Sequence, residues 1–283
     1  MSVVRALGLE KGYGDTQALD GFSLTLQASQ IMGLIGPNGS GKTTALKAIL
    51  GMLSVDAGEL DVLGFSPRPD RARMMEDVAY IADTGILPRW MRVRDLLRYL
   101  DGVHPKFSLA QAQERLSLTD IRPEKRIGGL SKGMHVQLHL AIVLSMDARL
   151  LVLDEPTLGL DILHRQQFYD ALLEDYVDAK RSILVTTHEV REIEDILTDV
   201  AFIHRGQNVL TGSMGEVRER FTKLIVRDSA LPPAQPVSVK KTGSGTEYIF
   251  DGLQRDSLSG YGEVSIPNLA ELFLALTTPD KPA

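Results

Sequence analysis

Cysteine is absent from the sequence. Disulfides, thiolate metal sites and thiol nucleophiles are therefore excluded, and a reducing compartment suits the chain. Tryptophan occurs once and aromatic residues make up only 6% of the 283 positions, so aliphatic side chains must build most of the core. No apolar run approaches the roughly 20 residues that span a bilayer; Leu140–Leu144 is typical of the runs present. The opening MSVVRALGLEKGYG lacks the apolar segment of a secretion signal. A surplus of positive charge is missing too. The formal net charge is -6, which argues against nucleic acid as a partner and leaves room only for a local basic patch.

What is present suits a globular chain of one large or two small domains. Hydrophobic residues make up 43%, enough for a sizeable core. Residues 3–9 and 22–28 read as strands around a turn at Gly12–Asp15, and 57–65 as a strand and turn. Short apolar runs at 30–35, 78–82, 150–154 and 183–187 read as buried strands. Helical spacing marks about 41–50, 93–145 and 162–177. Val93, Leu96, Leu97 and Leu100 form one stripe, and Leu138, Ala141, Ile142 and Ser145 another. Buried strands joined by helices predict an α/β fold with a parallel sheet covered on both faces. Pro, Ser and Gly enrichment around LPPAQPVSVKKTGSG predicts a boundary near 218–236. Beyond it stand short alternating runs at 237–240 and 247–250, and an apolar helix at Leu269–Leu276.

Gly36-Pro37-Asn38-Gly39-Ser40-Gly41-Lys42-Thr43-Thr44 fits the phosphate-loop pattern G-x-x-x-x-G-K-[ST]. Phosphate oxygens need several backbone N–H groups aimed into one concavity, and glycines let the chain curl that tightly. The following helix points its positive end there. Lys42 can reach the β- and γ-phosphates of ATP, and the Thr43 hydroxyl can ligate Mg²⁺. Leu150–Asp154 is an apolar strand ending in two carboxylates, Asp154 and Glu155. Downstream of a phosphate loop, Asp154 suits Mg²⁺ through a water, and Glu155 suits a general base for the attacking water. His188 follows the strand at 183–187 and can contact the γ-phosphate and that water.

Leu130-Ser131-Lys132-Gly133-Met134 begins 24 residues before Asp154 and opens a helix. In this order and position it resembles the LSGGQ signature of ABC transporter ATPases. The resemblance runs from about residue 3 to 217. It implies a phosphate-loop NTPase core with an antiparallel β subdomain and a helical subdomain at about 84–148, followed by a small C-terminal appendage at 218–283. It also implies Tyr13 stacked on adenine, a D-loop at Leu158-Gly159-Leu160-Asp161, and His188 as the switch histidine. By the same resemblance, two such subunits are expected to close head to tail, so that Lys42 of one and Ser131 and Gly133 of the other hold the same ATP. The resemblance further implies a separate membrane-spanning permease chain that converts closure into transport at the cytoplasmic face of the membrane. The second subunit is a copy of this chain or a homologue.

Three positions depart from that pattern. Asp83 stands where Gln is usual; it either binds Mg²⁺ or caps a turn. Lys132 replaces the first signature Gly, facing either the partner's phosphates or solvent. Met134 replaces Gln. LSKGM-type signatures and the closing helix resemble those of ABC-2-type exporters. The segment Ile86–Met91 is apolar and carries Trp90; it either meets the membrane chain or packs in this subunit's own core. Rival readings are a soluble ABC-type ATPase and a slow nucleotide-dependent regulator. Thr43 and Ser131 are only 88 residues apart, too close for the long coiled coils of chromosome-associated relatives.

Overall fold

The computed structural model describes residues 2–82, 87–179, 181–227, 234–243 and 245–278. Alternating apolar and polar residues make long strands of Ser2–Tyr13 (β1) and Thr16–Gln27 (β2). The all-apolar Ile31–Ile35 (β3) leads through the phosphate loop into Lys42–Ile49 (α1). Ala57–Val62 (β4), a single helical turn at Arg71–Met74 (α2) and Val78–Ile81 (β5) follow. β1 pairs with β2 on one side and β4 on the other, giving a three-stranded antiparallel sheet.

Next come Val93–Val103 (α3), Leu109–Ser117 (α4) and Lys132–Leu144 (α5). Ser108 caps α4 by accepting the Gln111 N–H, and Ser131 caps α5 by accepting the Met134 N–H at 3.2 Å. The stripe at Val93, Leu96 and Leu97 packs against Leu138, Ala141 and Ile142 of α5. Residues 118–131 are not an α-helix, although spacing marked the whole of 93–145 as mostly helical. Pro123, Gly128 and Gly129 interrupt it there.

Leu150–Asp154 (β6), Ile162–Ala179 (α6), Ser182–Thr187 (β7), Asp199–His204 (β8) and Gln207–Ser213 (β9) complete a six-stranded sheet. Its order is β5-β6-β7-β3-β8-β9, parallel except for the antiparallel β9. Every residue of β3, β6 and β7 is buried, as strands covered on both faces require. One face packs on α5 and α6, the other on α1 and the antiparallel sheet. Neighbouring β6, β7 and β3 run parallel. Their carboxyl ends therefore deliver Glu155, His188 and Gly36 to one edge, where open α/β sheets bind ligands.

Met214–Arg220 (α7) and Phe221–Val226 (β10) run into the stretch at 218–236 where a boundary is expected. The prolines marking that stretch, Pro232 and Pro233, come later, outside the described residues. Ser238–Thr242 (β11), Gly245–Asp251 (β12) and Glu263–Ser265 (β13) join β10 in a sheet ordered β11-β12-β10-β13. Leu269–Thr277 (α8) starts with a reciprocal Asn268–Glu271 cap. Its Leu269, Leu272 and Ala275 enter the same core as Ile193, Phe202 and Val217. The Leu269 N–H also donates to the Glu194 carboxylate, at 3.1 and 3.2 Å.

Candidate functional site

The phosphate loop is shaped by what cannot fit in it. A Cβ at Gly36 would lie 2.3 Å from the Ile203 carbonyl oxygen. At Gly41, φ is 112° and a Cβ would lie 2.4 Å from the Ala18 oxygen, so only glycine turns the chain into α1 here. Gly206 N–H donates to the Ser40 oxygen at 2.8 Å and pins the loop to the sheet. The Ser40 hydroxyl is buried and has no hydrogen-bond partner among the described residues, an exception for a buried polar atom. Lys42 is buried, with its ammonium donating to the Gly36 oxygen at 2.7 Å and the Pro37 oxygen at 3.2 Å.

The acidic side converges on that ammonium. Glu155 Oε1 lies 3.5 Å from Lys42 Nζ. Its other oxygen lies 2.9 Å from His188 Nδ1 and accepts the His188 backbone N–H at 3.3 Å. Glu155 has φ of 49°, unusual outside glycine. That reversal right after β6 accompanies a carboxylate shared between Lys42 and His188. Backbone strain of this kind costs on the order of 1–3 kcal/mol and clusters at functional positions. Asp154 is buried, and its Oδ1 accepts the Thr186 hydroxyl at 2.7 Å. The same hydroxyl receives the Glu155 N–H at 3.2 Å.

Lys42, Asp154, Glu155 and His188 line a cleft of about 550 Å³ together with Tyr13, Asn38, Gly39, Thr43 and Thr44. Tyr13 stands at its mouth, 52% exposed, with the Lys11 ammonium 5.6 Å from the ring centroid. A hydroxyl and a carboxylate, Thr43 and Asp154, form the all-oxygen pair that Mg²⁺ takes when phosphates and waters supply the rest. The cleft thus combines phosphate donors, an aromatic platform, a metal-type pair and a carboxylate–imidazole couple.

Other expected site residues stand outside it. Ser131 and Gly133 do not line the cleft. Asp161 faces α6, accepting the His164 N–H at 3.0 Å and contacting the His164 ring nitrogen at 2.8 Å. Those contacts, the backbone N–H foremost, hold its carboxyl below the usual range. Asp83 lies outside the described residues. Lys132 is exposed but leans on its own D-loop: a Cβ at Gly159 would lie 2.0 Å from its ammonium. Trp90 is 73% exposed, whereas Leu87 and Met91 pack on the helical core.

Two supporting residues escaped the sequence reading. Thr186 had a visible signal, one of two threonine hydroxyls that end the apolar run before His188. Arg165 had none. Its Nε donates to the Leu160 oxygen at 2.7 Å, and its guanidinium pairs with Glu189 and Glu192 beyond His188. It ties the D-loop to the histidine loop. Nearby, the Tyr169 hydroxyl meets that of Thr157 at 3.1 Å, and burial pushes its pKa up to about 12.

Comparison with known proteins places the same residues in a family. A profile of the ABC transporter family matches residues 19–158. The Nod factor export ATP-binding protein I of Burkholderia lata is 35% identical over 212 residues, covering 72% of this chain and 69% of that one. An uncharacterised ABC transporter ATP-binding protein of Bacillus subtilis, YhaQ, is 30% identical over 220 residues, covering 75% and 72%. Among solved structures, an ATP-binding subunit of an ABC transporter superposes with a TM-score of 0.69 at 23% identity, covering 76% of this chain and 92% of that chain. The cbiO1 protein of Clostridium perfringens, part of the cbiONQ transporter complex, gives 0.66 at 22%, covering 76% and 90%. The fold is shared with both structures. This chain belongs to the ABC transporter family, as an ATP-binding subunit that hydrolyses ATP.

Proposed function

We propose that this chain is the motor of an ABC exporter, closing head to tail with a second subunit around ATP and driving a separate membrane-spanning chain. The supporting observation is that Lys42, Glu155 and His188 converge in one cleft while Ser131 stands outside it. Ser131 heads α5, where a hydroxyl and helix N-terminal donors suit an anion supplied from elsewhere. In this reading each ATP is closed over by the partner subunit's Ser131. Glu155 takes a proton from the attacking water, and His188 holds both the carboxylate and the γ-phosphate. Lys42 leaves the Gly36 and Pro37 oxygens for the phosphates. Thr43 and Asp154 would hold Mg²⁺, which neutralises phosphate charge. The exporter assignment draws on the LSKGM signature and on the Nod factor export relative. The division into an ATPase unit, 1–217, and an accessory unit, 218–283, belongs to the same proposal.

The test is Glu155→Gln in the full chain. Turnover should fall by roughly 10²–10⁴ with ATP binding retained, and light scattering should give twice the monomer mass only with ATP. A variant that stays monomeric at saturating ATP overturns head-to-tail closure. Transport coupling predicts a co-purifying chain with several apolar segments of bilayer length. Isolation from membranes with no such chain overturns that part.

A further inference from the structure

The histidine loop, residues 188–198 between β7 and β8, has little structure of its own. It holds two single turns, Val190–Glu192 and Glu194–Ile196. Among the described residues its His188 ring bonds to Glu155 alone. The place of that ring is therefore set by whatever grips the rest of the loop. The loop is also acidic: Glu189, Glu192, Glu194 and Asp195 stand against Arg191 within it. Carboxylates so close repel one another unless neighbours answer them. From one side Arg165 of α6 pairs with Glu189 and Glu192. From the other side the answer to Glu194 comes from the accessory strands and helix.

The reciprocal cap of α8 occupies the N–H groups of Asn268 and Glu271. The Leu269 N–H, in the same first turn, is left over. It donates to both oxygens of Glu194, 75 residues away in the chain. The half-buried carboxylate thus sits at the positive end of α8. Burial raises its pKa above the ordinary value; the Leu269 N–H and Arg218 of α7 oppose that rise, and Asp195 and Glu271 add repulsion. Apolar contacts lie beside it. α8 packs against the Val190–Glu192 turn, and Val190 and Ile193 share a core with Leu269, Leu272 and Ala275. We propose that Glu194 is a positioning residue, through which the accessory unit sets His188 for hydrolysis. Only five residues stand between the two in the chain, and α8 and Arg165 hold that short span from opposite sides. Whatever moves α8 therefore moves the loop whose first residue meets the catalytic carboxylate. This rests on the reading that His188 holds Glu155 and the γ-phosphate, and adds to it a control from outside the ATPase unit.

Glu194→Leu, made in the full chain, tests this, with turnover counted per ATP bound so that misfolded protein drops out. Because small misplacements of a catalytic group are costly, kcat should fall about tenfold or more. KM for ATP should stay within about twofold, since the groups that hold the nucleotide are untouched. Glu194→Gln keeps an oxygen for the Leu269 N–H and should restore most of the rate. Glu194→Asp keeps the charge but falls one methylene short, so it should be slow as well; it decides the matter if the leucine variant does not fold. On a His188→Ala background, Glu194→Leu should cost nothing further, because both changes act through one group. Full turnover in the leucine and aspartate variants overturns the inference. So does a glutamine variant as slow as the leucine one, or a further loss on the His188→Ala background. Full turnover by His188→Ala alone would overturn the reading of His188 and this inference with it. A slow His188→Ala beside a full-rate Glu194→Leu would unseat only this inference.

Discussion

At the scale of single residues, one hydroxyl on β7 organises both carboxylates at the end of β6. Thr186 donates to Asp154 and receives the Glu155 N–H. Supports of this kind behind a metal ligand are worth roughly 10- to 100-fold in metal affinity or activity. Thr186→Val should raise the Mg²⁺ concentration for half-maximal hydrolysis by about tenfold or more, and Thr186→Ser should not. An unchanged Mg²⁺ requirement in the valine variant would reduce Thr186 to a packing residue. Lys42, Asp154, Glu155 and His188 were legible in the sequence because each stands a fixed step beyond an apolar strand. Their supports were less so. Thr186 and Asp154 are 32 residues apart in the chain, and Arg165 meets Glu189 and Glu192 only through the packing of α6 against the following loop. Local spacing carries no record of such contacts.

The element with the sharpest pH signature is α5. His139 is pushed down to about 4 by burial, the neighbouring His135 adding repulsion, and Arg89 faces His135. The ordinary value is 6.5. Below that value the unfolded chain binds the proton more readily than the folded one. Stability is therefore intact above about pH 6.5 and is lost as pH falls toward 4, by at most about 3 kcal/mol. Thermal unfolding from pH 7 to 4.5 should fall more steeply for the native chain than for His139→Gln. Parallel curves would show that His139 does not titrate on unfolding. Element existence was largely legible: the short, mostly apolar runs became β3, β6 and β7, each buried along its whole length. Ends were less so. The break in the helical subdomain came from prolines and glycines inside a pattern otherwise of helical period.

At the scale of the molecule, the accessory strands and helix do not hang free. α8 lays Leu269, Leu272 and Ala275 into the core that also holds Phe202 and Val217. Each leucine so buried is worth about 1.5–3 kcal/mol. Removing residues 218–283 should lower the melting temperature by several degrees or drive aggregation through the uncovered face. A truncated chain that melts like the full one would make the accessory unit energetically separate. This docking was not legible in the sequence, because a Pro-rich stretch marks loose chain without saying where the following strands return. The strand order, too, depends on crossovers that no local pattern records.

Ser131 caps its own helix away from its own cleft, and that placement has a genetic consequence. If each working unit needs Lys42 from one copy and Ser131 from the other, a defective copy does not merely fail. It occupies a place beside a sound one. With equal amounts of sound and hydrolysis-dead chains pairing at random, only about a quarter of pairs are wholly sound in a two-fold assembly. A lesion in this gene would therefore act dominantly, poisoning its normal partner rather than simply halving the supply.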